Sequence, residues 1–309
     1  MRRFGGIFSS FVVAGLAALS APAQAEQMRV DGYYPAGSDE AANLRSIAVG
    51  NFAGDDGPQL SLLVGDALRA VQIDGRPWLT VLTGRFGRDG DGALDGQVRS
   101  RYAEQNITLN RSVCTAYDQY NNCTVRADQP VPCLRVTLYL RPDLRLTGRG
   151  GQLLWSFSQE GSRQAEFCPD YDDEPDFTAH VDTLLAEYAR TIRYQLAPAH
   201  EGRNIRVMEG RGDLPRELRD TYRNAMRQTE RDPAAACAIF TSLAPQAPTH
   251  PQLQHNNALC AEREGRWDQA TDGYNRLLSV RSARTEAQGG LARIAAYRRA
   301  RQQLERRGG

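Results

Sequence analysis

CLRVTLYLRPDLRLTGRGGQLLWSFSQEGSRQAEFC, Cys133 to Cys168, is the stretch whose reading decides the fold class. Leu134, Val136, Leu138 and Leu140 alternate with Arg135, Thr137, Tyr139 and Arg141, the period-two pattern of a strand with one face buried. Gly148-Arg149-Gly150-Gly151 turns the chain, and Gln152 to Gln159 returns it as the second strand of a hairpin. Pro142 and Asp143 are expected to interrupt that hairpin, and its outward arginines make it a poor lipid-facing strand.

Moving outward, Arg45 to Phe52 reads as a short apolar strand before a turn at Gly54 to Gly57. Leu60, Leu63, Val64, Ala67, Leu68 and Val71 then recur at helical spacing. Trp78 to Leu82 and Asp95 to Arg101 give two more strands. Phe177, Val181, Leu184, Leu185, Tyr188, Ile192 and Leu196 give a long amphipathic helix, and Asn204 to Met208 a last edge strand. This order predicts an α+β domain over residues 26–208, an antiparallel or mixed sheet with helices on one face.

Residues 212–309 read differently. Ala236, Phe240 and Leu243 are followed 34 residues later by Ala270, Tyr274 and Leu277. That period predicts an all-α domain of helical hairpins, with Gly265 at the tight turn inside the second and a capping helix over Gly289 to Arg301. Arg231-Asp232-Pro233 takes the turn of the first hairpin, and Pro248 follows its second helix. Such repeats stack into surfaces that hold peptides or proteins. The Arg-rich tail, Arg298 to Arg307, reads as a frayed helix end.

Residues 1–25 have the form of a cleavable signal peptide. Arg2 and Arg3 precede an apolar run from Ile7 to Leu19, and Ala23-Gln24-Ala25 supplies a small-x-small cleavage pattern. The run is shorter than the roughly 18 residues that span a bilayer. The expected mature chain begins at Glu26 and works in the periplasm without stable membrane insertion. Every basic side chain is arginine. Cleavage leaves 36 of them against 37 acids, so nothing in the bulk charge favours nucleic acid.

Cys114, Cys123, Cys133, Cys168, Cys237 and Cys260 are even in number, as a disulfide framework in an exported chain requires. Zinc prefers close pairs such as C-x₂₋₄-C, and the nearest spacings here hold eight and nine intervening residues. The expected pairs are Cys133–Cys168, Cys114–Cys123 and Cys237–Cys260. An even hairpin register centred between Arg149 and Gly150 leaves Cys133 opposite Glu166, two residues short of Cys168; a bulge or a longer loop would close that gap. Cys114 and Cys123 would clamp a second small hairpin. The competing pattern joins Cys123 to Cys133 and Cys114 to Cys168, and Cys237 and Cys260 have the alternative of buried free thiols.

The stretch RSIAVGNFAGDDGPQLSLLVGDALRAV (45–71), the DGQV strand (95–98) and the hairpin TGRGGQLLWSFSQEG (147–161) resemble the curli-assembly lipoprotein family. They are also similar to the N-terminal domain of the Tol-system propeller protein and to lipoprotein activators of peptidoglycan synthases. The resemblance implies an α+β envelope domain over about Arg45 to Leu196. The chain departs from it in lacking a lipidated cysteine and in a Cys-rich insertion between Tyr102 and Pro132, so anchoring and pore formation do not carry over. AEREGRWDQATDGYNRLL (261–278) resembles a tetratricopeptide helix pair, with Ala270 at the close helix crossing and Tyr274 at the aromatic packing position.

Candidate chemistry is sparse. Asp170, Asp172, Asp173, Glu174 and Asp176 could offer oxygens to a hard cation, or form a solvated loop that caps the following helix. Asp89, Asp91 and Asp95 share the first spacings of a calcium loop without its twelfth-position Glu. His180, His200, His250 and His255 are scattered and form no metal or relay motif. The favoured expectation is a non-catalytic envelope scaffold, with no catalytic residue, no metal and no cofactor, that binds a protein or peptide through its repeats. The alternative is a metal-dependent hydrolase using the acidic loop 170–176.

Overall fold

A computed structural model describes residues 26–83, 90–210, 212 and 214–308. The expected signal peptide and Asp89 lie outside the described residues. The chain is mixed α/β, with ten strands and eight helices among the described residues.

The main sheet is built on two 26-residue strands, β6 (Gly92–Tyr117) and β7 (Cys123–Gly148), paired antiparallel along their length. β2 (Ser46–Val49) lies parallel to both β6 and β5 (Thr80–Leu82), so the sheet is mixed. On the other edge β7 pairs with β8 (Leu153–Ser158) and then β9 (Gly161–Phe167). β3 (Gln72–Ile73) and β4 (Arg76–Pro77) form a separate small hairpin.

Pro142 does not interrupt β7, contrary to expectation. The break falls on its partner: Gln159 and Glu160, between β8 and β9, stand opposite Pro142 and Arg141, where a proline has no N–H to donate. The same register explains the missing two residues at the cysteines. A bulge between Leu146 and Thr147 supplies one, and a turn centred on Gly150 supplies the other, so Leu134 faces Phe167. Cys133 and Cys168 are the next pair along.

Leu94, Val98, Val136, Leu138, Leu140, Leu144 and Leu146 face one side of the sheet. There they meet Leu60, Val64 and Leu68 of α2 (Gly57–Arg69) and Leu184, Leu185, Tyr188 and Ile192 of α3 (Thr178–Leu196). Tyr188 Oη donates to the Leu140 carbonyl at 2.8 Å, joining α3 to the central strand. The short α1 (Asp39–Ala42) is capped by the Ser38 hydroxyl. Helices therefore cover one face, as expected.

Beyond Cys133 the two long strands leave the sheet as a two-stranded arm, residues 108–132. It replaces the expected small hairpin in an insertion. The apolar side chains at its base are odd-numbered: Val113, Val131 and Cys133 are buried and Ile107 and Leu109 half-buried, packing with Cys168 on the face opposite the helices.

β1 (Gln27–Tyr34) pairs antiparallel with β10 (Ala199–Arg206) as a separate ribbon. Five helices follow: α4 (Arg216–Gln228), α5 (Pro233–Leu243), α6 (Pro251–Arg263), α7 (Trp267–Leu277) and α8 (Arg284–Gly308). Asp232 caps α5 by accepting from the Ala235 N–H, with Pro233 in the first turn. Met28, Val30 and Tyr34 of β1 share a core with Tyr222, Cys237, Phe240, Leu253 and Cys260. The core of the helical part thus includes a strand from the start of the chain.

Candidate binding site

A cleft of about 340 Å³ opens where the β1–β10 ribbon meets the ends of α6, α7 and α8. Three local features build it. Gly265, at φ +74°, turns the chain between α6 and α7 in a left-handed conformation that suits glycine, placing Arg263 and Trp267 on the wall. Tyr297, Arg301 and Leu304 recur at i, i+4 and i+7 and present one face of α8. Gly32 on β1 lets α8 approach: a β-carbon there would lie 2.6 Å from the Tyr297 ring. Tyr33, its ring tilted at 53° against His200 with centroids 4.7 Å apart, closes the ribbon side.

Glu262 lies at the floor with no side-chain exposure. Arg293 donates through Nε to one of its oxygens at 2.7 Å and through a terminal nitrogen to the other at 2.8 Å. Tyr274 donates at 2.7 Å and Tyr297 at 3.3 Å. With its proton directed at Glu262, Tyr297 accepts from Tyr34 at 3.1 Å, which carries the network from the helices into the ribbon. Burial pushes the Tyr274 and Tyr297 hydroxyls well above the ordinary tyrosine range, so both remain donors. Burial opposes the Arg293 charge, but the hydrogen bonds and charge of Glu262 more than offset it. A carboxylate so occupied serves the fold, with its oxygens committed to Arg293, Tyr274 and Tyr297.

Neighbouring His255 is buried, and neither ring nitrogen has a hydrogen-bond partner. Burial, reinforced by Arg293, holds its pKa down at about 4, so it is neutral at pH 7.

The sequence-derived residues fall in three places. The six cysteines form the three expected pairs, with Cα separations of 5.7 Å for Cys114–Cys123, 4.0 Å for Cys133–Cys168 and 5.4 Å for Cys237–Cys260. Both competing arrangements are thereby set aside. Cys114–Cys123 closes the far end of the arm instead of a separate hairpin. Ala236, Phe240, Leu243, Ala270, Tyr274 and Leu277 are all buried at helix contacts, and Gly265 is exposed at its turn.

Two of the five acids in the loop 170–176 are tied into the fold, and Asp170, Asp173 and Glu174 are exposed. Asp172 pairs with Arg111 of the arm and accepts from the Cys168 N–H at 2.9 Å, and Asp176 accepts from the Thr178 N–H at 2.8 Å at the start of α3. Asp91 accepts from the N–H groups of Arg45 and Ser46 and pairs with Arg149. No group of three potential ligands suited to a metal ion occurs among the described residues. The Arg-rich tail is not frayed: Arg298 pairs with Asp268, Arg299 with Asp39, and Arg307 donates to the Leu44 carbonyl. Its arginines reach fixed acceptors on other elements, which holds the last turns of α8 in place.

Sequence reading missed the cleft itself. Glu262, Arg263 and Trp267 sit inside the quoted repeat motif, where they pass as packing residues. Their partners Tyr33, His200, Arg293 and Tyr297 are far away in sequence, and only the 297, 301, 304 spacing signals a shared face.

No family model matches the chain, and no curated protein matches it by sequence. Among solved structures it is similar to a PelC dodecamer from Paraburkholderia phytofirmans, at 15% identity. That match covers 55% of this chain and 98% of PelC, with a TM-score of 0.25, too loose a superposition to carry fold or function across. The curli-assembly and tetratricopeptide resemblances thus rest on the sequence motifs. The three disulfides suit an extracytoplasmic location. No helix among the described residues is long and apolar enough to cross a membrane.

Proposed function

We propose that this chain is a non-catalytic interaction protein of the bacterial envelope, exported to the periplasm, that holds a segment of a partner protein between its ribbon and its helices. In this reading α4/α5 and α6/α7 are tetratricopeptide-like hairpins closed by α8, and the sheet with α2 and α3 is a curli-assembly-like body that supports them. The observation that carries it is the cleft: an aromatic and aliphatic floor of Tyr33, Trp267, Tyr297 and Leu304, ringed by charged side chains on rigid elements. Glu262, Asp172, Asp176 and Asp91 each hold the fold together through named partners.

The test is site-specific photo-crosslinking in cells that carry the natural gene. A photoreactive phenylalanine analogue replaces His200 or Arg301 at the cleft, or Leu62, exposed on the outer face of α2, as a control. A discrete protein adduct is expected from both cleft positions, abolished by Trp267→Ala, and not from Leu62. Equal adducts at Leu62, or none at the cleft, would overturn the reading.

A further inference from the structure

The charges around the cleft are unevenly committed. Asp31 is held by Arg29 on its own strand at 3.0 Å, and Glu262 is buried against Arg293. Arg301 shares Glu305 one turn along α8 at 2.8 Å, in an exposed pair of the kind worth little. Arg263 has no ion-pair partner among the described residues. His200 adds an exposed imidazole from the ribbon. Of the charged side chains on the wall, Glu262 is satisfied within the fold, Asp31 and Arg301 each sit in an exposed pair, and Arg263 alone keeps all its donors for a ligand.

We infer that the cleft selects an acidic segment of a partner protein, one that places a bulky apolar side chain against Trp267 and Tyr297 and a neighbouring carboxylate on Arg263. The inference rests on the reading of the cleft as a partner-binding site and names the chemistry of what it takes. Both parts of the occupant follow from the lining. The volume is at the small end of the 300–1,000 Å³ typical of ligand pockets, enough for one or two side chains and too little for a whole peptide. An aromatic or large aliphatic residue fills it. Arg263 offers a planar fork of donors that matches a carboxylate. Arg301 extends the basic rim beyond what the single charge of a chain end would occupy, which favours acidic side chains within a segment. Arg263 on α6 and Trp267 on α7 are fixed relative to each other by the Gly265 turn, so the apolar and ionic contacts are read together.

The experiment measures anisotropy of fluorescein-labelled peptides, blocked at both ends, with the full chain. The acidic probe is Gly-Asp-Phe-Glu-Gly and the neutral probe Gly-Asn-Phe-Gln-Gly; a third probe is Gly-Asn-Phe with a free C-terminus. The acidic probe is expected to bind about tenfold tighter than the neutral one, the preference a charge-assisted hydrogen bond supports. Raising salt from about 50 to about 500 mM should erase most of that preference. Arg263→Gln should bring the two probes within about twofold while neutral binding stays, and Trp267→Ala should weaken both. Circular dichroism melting confirms that each variant is folded. Equal binding of acidic and neutral probes, both lost in Trp267→Ala, overturns the inference while leaving the partner-binding reading standing. Binding of only the free-acid probe overturns it in favour of a chain end, and binding of no probe overturns it outright. The crosslinking experiment tests the underlying reading separately.

Discussion

The carboxylate of Glu262 has no exposed surface, and its oxygens are filled from within: Arg293 donates to it twice and Tyr274 and Tyr297 once each. Glu262→Ala leaves Arg293 charged and unpaired in a dry site, at a cost of about 3–5 kcal/mol, and should lower stability to urea accordingly. The double change Glu262→Met with Arg293→Met should recover only part of the loss, since it removes both charges but leaves the Tyr274 and Tyr297 hydroxyls without their acceptor. A double variant as unstable as the single one would show that the pair matters for something other than charge balance. Two further residues set the response to acid, in separate windows. His255 is neutral in the folded protein, with a pKa near 4 against 6.5 in the unfolded chain. The unfolded state therefore binds the extra proton, and stability present above about pH 6.5 is lost as pH falls toward 4. Asp143 is held down to about 2 by the Ser158 hydroxyl and by Arg99 and Arg141. Its contribution is full above about pH 4 and is lost as pH falls through 2, modestly, because it is partly exposed to screening solvent. His255→Phe should flatten denaturation midpoints in the upper window alone, and Asp143→Asn in the lower alone. Neither role was visible in sequence: Arg293 is 38 residues from His255, and nothing local marks the contact.

At the scale of elements, the long hairpin shows both what alternation reveals and where it fails. Leu134 to Leu140 identified the strand correctly, and the distance from Cys133 to Cys168 held the right pairing because bulge and turn together supply the two missing residues. The arm was lost to the same rule. Burial falls on even positions at Val136, Leu138 and Leu140, but on odd positions at Val131 and Cys133, so the pattern changes phase where the strands leave the sheet. Read as a single pattern, Ile107, Leu109 and Val113 point the wrong way, and the segment passes for a polar insertion. Their spacing of two was nevertheless a signal. The two disulfides of this hairpin should behave differently. Cys133–Cys168 joins the arm's small core to the sheet and closes 35 residues of separation, for which chain entropy gives about 4 kcal/mol. Cys114–Cys123 constrains only the far end of the arm, where little apolar surface is buried. Changing Cys133 and Cys168 together to Ala should lower the melting temperature of the whole protein. Changing Cys114 and Cys123 should leave it nearly unmoved, while hydrogen exchange at residues 112–126 speeds up. Equal global losses from both pairs would mean that the arm folds as part of the main core.

On the scale of the whole molecule, α8 decides how the halves behave. Tyr297 meets Tyr34 near its middle, and further along Gln303 fills both backbone groups of Ala36, accepting from its N–H at 2.8 Å and donating to its carbonyl at 3.2 Å. Arg299 pairs with Asp39, Leu304 packs on the sheet core, and Arg307 lies over the Trp78 ring at 4.0 Å. From the other direction, Met28 and Val30 of β1 are completely buried in the core of the helices. Residues 26–208 and 212–309 therefore share side chains both ways. None of this was legible, because β1 shows only two apolar alternations and finds β10 more than 160 residues away. The coupling has a thermodynamic consequence. Gln303→Ala leaves the buried N–H and carbonyl of Ala36 without partners, about 1–3 kcal/mol for each group, at a site belonging to neither half alone. If the halves fold cooperatively, calorimetry of the wild type shows one transition, and the Gln303→Ala variant shows one transition at lower temperature. Circular dichroism of the helices and fluorescence of Trp155 on β8, read in a background with Trp78 and Trp267 changed to Phe, should then report the same midpoint. The expected result is that coincidence in both proteins. Two transitions in the wild type, or a helical midpoint that drops while the Trp155 signal stays put, would show that α8 docks onto an independently stable sheet domain.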